Sequence, residues 1–428
     1  MSEEKRAAQR PHSLFHDPNY TKLWIGQTAA LFGTQVTALA LSLTAATALQ
    51  ATSSQMGILD AARTIPFLLI ALFAGVWIDR CRKRPILVAT NLMKALLLGL
   101  IPLFAVLGVL CVEHLYIIAF ATGVLTVFFD LAHVSILPTL VQPEQLVEAN
   151  SKLMVSSSAA EISGQSFVGA IVEFLTAPFA FILDSVSLLL SALGFGLINK
   201  PEDVRPRKSE GSLVRDLTSG IGIVFRNSYL RALALSAATY NLFEQIITTV
   251  IILYVTRDLG LGPAVLTFIL ATSSIGGVIG SLAADRVARR LGTGPAILTS
   301  MLIGCFITLL IPLAVGPVFV AAVLLTLRYF LSGIVAAISN IHVVSLRQAI
   351  VPREMQGRMN ASYRFFIYGG IPIGALLGGF LGDMIGRWAT LTIGAVGLLA
   401  SLPPALFSSL PKLRSVPTCG QTPFKTEA

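Results

Sequence analysis

The chain has 428 residues, 54% of them hydrophobic and 12% charged, with a formal net charge of +9. A soluble domain carries about a quarter charged residues, so this composition excludes a water-facing globule and assigns much of the surface to lipid. The basic residues sit in short clusters between apolar runs, which excludes a nucleic-acid face, and four cysteines without ligand spacing exclude a disulfide framework or cysteine metal site.

In chain order, residues 1–22 form a polar tail with no short apolar core and cleavage site, hence no cleaved signal peptide. A bilayer core about 30 Å thick takes about 20 apolar residues per helix. Twelve stretches meet that length: 23–48, 56–78, 85–110, 115–137, 152–174 and 178–199, then 229–254, 264–284, 294–314, 316–340, 361–383 and 387–408. The expected fold is therefore all-α and polytopic, twelve transmembrane helices in two six-helix bundles at 23–199 and 229–408. Between them, 200–228 reads as a cytoplasmic linker with an interfacial helix near Ile221–Phe225, and 409–428 as a cytoplasmic tail. Long apolar blocks without two-residue alternation exclude an outer-membrane barrel.

Orientation follows from lysine and arginine. With the N-terminus inside, the cytoplasmic segments hold 26 of the 31, the outer loops hold Arg257 and Arg387, and Arg63, Lys94 and Arg328 lie within spans. Positive charge marks the cytoplasmic side, so both termini are expected there, in a cell inner or plasma membrane. The halves also repeat. Asp79-Arg80 and Lys83-Arg84 after helix 2 answer Asp285-Arg286 and Arg289-Arg290 after helix 8, and Phe120 and Gly123 answer Phe330 and Gly333. Parallel six-helix repeats are the plan of one large transporter class.

Gly75-Val76-Trp77-Ile78-Asp79-Arg80, followed by Lys83-Arg84, resembles the loop 2–3 signature of the major facilitator superfamily, with a degenerate copy at Asp285, Arg286 and Arg290. Asn19 to Gln27, Arg63-x-x-Pro66 and Phe181-x-x-Asp184-x-x-Ser187 are similar to its drug:H⁺ antiporter branch, which contains macrolide exporters and the enterobactin exporter. The resemblance implies a cytoplasmic gate at Gly75, Asp79, Arg80, Lys83 and Arg84, together with Asp285, Arg286 and Arg290 of the second copy. One departure stands: helix 5 has Gly164-Gln165 where antiporters of the superfamily often carry Gly-Pro.

An ionisable group at the centre of a span costs about 2.5–3.5 kcal/mol on insertion scales, so each such group invites a functional explanation. Glu161 in helix 5 and Glu244 in helix 7, flanked by Asn241 and Gln245, are expected to couple protons or line the substrate cavity. Asp130 and Arg328 are further candidates, and the two could neutralise each other across the bundle. Asp60 and Arg63 read as a local ion pair, Asp184 as a brace for neighbouring backbone, and Glu173 and Asp383 as wet helix ends. Phe128, Phe129, Phe243 and Tyr240 are expected to give the cavity apolar walls with few polar groups.

No phosphate loop, metalloprotease motif or nucleophile elbow is present, so no enzyme and no cofactor are expected. The expected partners are a small-molecule substrate, protons and the lipid bilayer, with the monomer as the functional unit. The reading is a proton-coupled exporter of amphipathic small molecules of drug, macrolide or siderophore type. A nutrient importer of the same fold and a non-transporting scaffold or receptor stay open.

Overall fold

The computed structural model describes residues 18–79, 81–141, 145–199, 221–351 and 355–414. Among them every regular element is helical. The long helices are α1 (Pro18–Leu43), α2 (Ser53–Asp79), α3 (Lys83–Val106), α4 (Val112–Leu140), α5 (Leu146–Leu175) and α6 (Ala180–Gly196). They continue as α7 (Ser228–Leu253), α8 (Pro263–Leu291), α9 (Thr293–Thr308), α10 (Val318–Ile350), α11 (Gln356–Met384) and α12 (Arg387–Gly397). Residues 221–226 are helical too, at the place of the short helix expected in the linker. Ten helical spans among the described residues are long and apolar enough to cross a membrane.

The apolar side chains explain why helices form and where they face. Large residues such as Phe73, Leu96, Phe319 and Phe407 stand exposed around the outside, an arrangement suited to hydrocarbon, where only helices and closed barrels satisfy their own backbone groups. Turns fall where glycine permits them: Gly292 (φ +93°) separates α8 from α9, and Gly386 (φ +88°) separates α11 from α12.

The repeat seen in the sequence recurs in the packing. α1 packs on α5 and α6, α2 on α4, and α3 on α4 and α6; α7 packs on α11 and α12, α8 on α10, and α9 on α10 and α12. It holds at single residues as well. α1 ends in a π-helical turn at Thr44–Ala48 and α7 in one at Tyr254–Asp258. A Cβ at Gly123 would stand 2.6 Å from the carbonyl oxygen of Arg63, and one at Gly333 would collide with that of Ser273. The offsets 333 − 123 and 273 − 63 are both 210. The glycines of the repeated Phe-x-x-Gly thus let α4 approach α2, and α10 approach α8, at backbone distance.

Among the described residues α2 packs on α11 and on α7, and α5 on α8, and these contacts join the first six helices to the second six. At one end the join is tight. Asp383 at the end of α11 accepts hydrogen bonds from the backbone N–H groups of Ser53 (2.9 Å) and Ser54 (2.8 Å), the first residues of α2. A Cβ at Gly57 would stand 2.5 Å from the oxygen of Ala375, and one at Gly379 2.6 Å from that of Ser53. Arg257 donates to the oxygen of Ala46 at 2.7 Å, a third link across the same end. Asp383 is therefore not merely a wet helix end. It caps a helix of the other half, meeting orphan N–H groups and the positive end of that helix dipole.

Candidate functional site

A cavity of about 390 Å³ lies between the halves, bordered by α1, α2, α3, α4 and α6 on one side and α11 on the other. Its charged lining residues are Arg63, Lys94, Asp130, Asp184 and Arg364. Three of these converge from different helices of the first half. Lys94 on α3 is 6% exposed and lies within electrostatic reach of Asp130 on α4 and Asp184 on α6. Its ammonium also sits 4.9 Å from the ring centre of Phe129, a cation–π contact.

Local packing sets this geometry. α3 and α6 are pinned by hydrogen bonds from Asn91 Nδ2 to Ser191 Oγ (2.7 Å) and from Ser185 Oγ to the oxygen of Ala95 (3.1 Å). α1 closes over Asp184 at Gly33, where a Cβ would collide with Asp184 Oδ1. Asp184 is fully buried, and neither of its carboxylate oxygens has a hydrogen-bond partner among the described residues. The expected backbone brace is thus absent. Its environment offers Lys94 as the opposing charge, and a carboxylate so placed can be neutralised by a proton or by the neighbouring cation.

The acids singled out from sequence divide. Glu244 on α7 forms a 2.6 Å ion pair with Arg328 on α10, whose guanidinium lies 4.3 Å from the ring centre of Tyr329. Arg328 therefore does not neutralise Asp130, which instead lies within reach of Lys94 and Arg364. Asp60 keeps Arg63 at 3.9 Å, yet it also accepts from Gln245 Nε2 and Thr249 Oγ1 of α7, each at 3.1 Å. It keeps the local pair and links the halves as well. Asn241 donates to the oxygen of Ile367 at 3.0 Å. Glu161 falls near the middle of α5, and its side chain and that of Glu173 lie outside the described residues.

The expected aromatic walls are also corrected. Phe129 is buried in the core, Phe128 meets Trp77 edge to face with 5.6 Å between ring centres, and Phe243 packs beside Gly397. Of the four, Tyr240 alone lines a described cavity, the second one, within the second half. The aromatic pair at the cavity between the halves is Phe67 with Tyr368, 5.0 Å between ring centres. Lys94 and Asp184 are the functional candidates to which sequence reasoning gives no chemical role. Their signal is depth, since both are ionisable groups inside apolar spans.

In the loop 2–3 motif, Gly75 and Asp79 end α2 with side chains outside the described residues, as is the whole of Arg80. Lys83 Nζ donates to the oxygen of Cys81 at 2.8 Å, and Arg84 donates to the oxygen of Gly196. In the second copy Asp285 pairs with Arg289 at 2.5 Å in an exposed position, with Arg286 and Arg290 exposed beside it.

Comparison with known proteins decides the family. The sequence profile described as Major Facilitator Superfamily matches residues 23–368 and 233–420. The chain belongs to the Major Facilitator Superfamily. It is a multi-pass membrane protein of a transporter family and not an enzyme. It is similar to the multidrug efflux pump Tap of Mycolicibacterium fortuitum, 24% identical over 83% of this chain and 87% of that one. It is also similar to an uncharacterised MFS-type transporter, y4rN, of Sinorhizobium fredii, 24% identical over 64% of each chain. The match thus spans just under two thirds of that relative's length. Among solved structures it resembles the nucleoside transporter NupG, with TM-score 0.73, 14% identity and coverage of 91% of this chain and 98% of that one. It also resembles a bacterial homologue of the iron transporter ferroportin in an inward-facing state, with TM-score 0.71, 17% identity and coverage of 92% and 99%. At these identities the structures show the fold alone.

Proposed function

We propose that this superfamily member is a secondary active transporter that exports amphipathic small molecules by proton antiport and alternating access, as its drug:H⁺ antiporter motifs imply. Its twelve helices act as two six-helix bundles, 23–199 and 229–408, joined by the linker at 200–228, with both termini in the cytoplasm. In that orientation the end latched by Asp383 faces outward, and the conformation described is inward-facing.

The observation that carries the reading is Asp184, fully buried and unpartnered by hydrogen bonds among the described residues, beside Lys94 on the wall of the cavity between the halves. A proton taken up by Asp184 leaves Asp130 as the opposing charge near Lys94; its release brings a second negative charge to bear on Lys94. Each state presents different charge to the interface, and that difference can bias the rocking of one half against the other. Glu161 is a further acid of the same kind from its depth in α5, whereas Glu244 is held by Arg328 and serves the second half as part of a fixed pair. The drug-efflux relative supports the outward direction of transport.

The test is extrusion of preloaded ethidium or erythromycin from energised cells that lack their own pumps. Expression of the chain should speed extrusion, and a protonophore should abolish the gain. Extrusion that persists after the proton gradient collapses would remove proton coupling, and faster uptake would reverse the direction.

A further inference from the structure

A second cavity, of about 270 Å³, lies wholly within the second half among α7, α9, α10, α11 and the segment after α12. Its walls are unlike those of the charged cavity. α7 contributes Ser236 and Asn241, five residues apart, and α10 contributes Ser332, Ser339 and Asn340, spaced to share one helix face. No acid lines it, and Arg347 is the charged residue in its wall. That guanidinium is already engaged: it donates to Asn360 Oδ1 at 2.8 Å and stacks 4.1 Å from the ring centre of Tyr363.

Neutral polar side chains converge here inside helices that are otherwise apolar, and two polar groups are left wanting. Ser236 is 1% exposed, and its hydroxyl has no hydrogen-bond partner among the described residues; the same holds for Arg347 Nε. A buried polar atom without a partner costs about 1–3 kcal/mol. An arrangement that leaves such atoms around a cavity, with apolar surface between them, is how small-molecule sites are built. The neutral amides and hydroxyls both donate and accept, which fits hydroxyls on the ligand.

We infer that this cavity is a subsite for the uncharged, hydroxylated part of an amphiphile, such as the sugar of a glycosylated aromatic compound. The inference names a substrate class for the transporter proposed above. It rests on that reading, but not on the direction of transport or on the coupling ion. Charge handling and ligand recognition then fall in different halves, the first around Lys94 and the second around Ser236.

The full chain in lipid nanodiscs, with no gradient present, supplies the test by equilibrium dialysis. The probes are 4-nitrophenyl β-glucoside, 4-nitrophenyl sulfate and 4-nitrobenzylammonium, which share a ring and differ in charge. The glucoside should bind at least tenfold tighter than either charged probe. Filling the cavity with Ser236→Leu or Ser339→Leu should weaken it tenfold or more, and the milder Ser236→Ala about threefold. Ser236→Ala is small enough to separate a lost contact from a lost fold. Absence of saturable glucoside binding (a cavity that holds only water), preference for a charged probe, or unchanged affinity in the three variants would overturn the inference. Because dialysis needs no proton gradient, a failed export assay leaves this result standing, and the reverse also holds.

Discussion

Glu244 on α7 and Arg328 on α10 meet at 2.6 Å, with the arginine side chain 3% exposed and the glutamate 25%. The pair spans 84 residues of sequence and holds two helices of the second half together. An ion pair this deep contributes through geometry rather than net energy, because desolvation offsets most of its attraction. Removing one partner is a different matter, since it strands the other charge.

Glu244→Gln should therefore lower the stability of the folded transporter by about 3–5 kcal/mol. Glu244→Gln with Arg328→Met should recover much of that loss. Thermal unfolding in detergent, followed by size-exclusion chromatography, reads both. A single variant as stable as wild type would show that the pair is not fixed, and Glu244 would return as a candidate proton carrier.

The cap that Asp383 places on α2 joins the halves in the conformation described. Loss of a helix cap costs about 0.5–2 kcal/mol, so Asp383→Ala should shift the balance of conformations about two- to thirtyfold away from the latched one. A cysteine at Thr37, on the cavity wall, would report it with an impermeant thiol reagent added from the latched side. Labelling should rise in the Asp383→Ala background. Unchanged labelling would mean that the glycine contacts around Gly57 and Gly379 hold that end closed without the cap.

Topology is the third prediction. Tags at both termini and between Glu210 and Gly220 should be protected in intact cells, and a tag near 51–55 should be reachable from outside. An N-terminus open to external protease would contradict the charge count and turn the latched end inward.

The helices are legible in the sequence because apolar runs of membrane length have few alternative structures, and the internal repeat is legible because its motifs recur at nearly constant spacing. Helix rotation is not. Around an apolar helix the sequence carries little signal of which face meets a neighbour, so Glu244 reads without Arg328, Asp60 without Gln245, and Phe129 as cavity wall rather than core. Asp184 reads as a brace because its motif resembles a family pattern, while Lys94 reads as a charge within a span and no more. Their proximity depends on the packing of α3 against α6, set by contacts such as Asn91 to Ser191 that span 100 residues.

The central claim is that Asp184 carries the proton that drives export. Asp184→Asn keeps shape and removes titration, so the measurement is ethidium movement in everted vesicles with and without an imposed proton gradient. Wild type should accumulate ethidium only with the gradient and with a rate that depends on pH. Asp184→Asn should retain downhill exchange of ethidium but lose gradient-driven accumulation and the pH dependence. Full gradient-driven accumulation with an unchanged pH profile in Asp184→Asn would contradict the account.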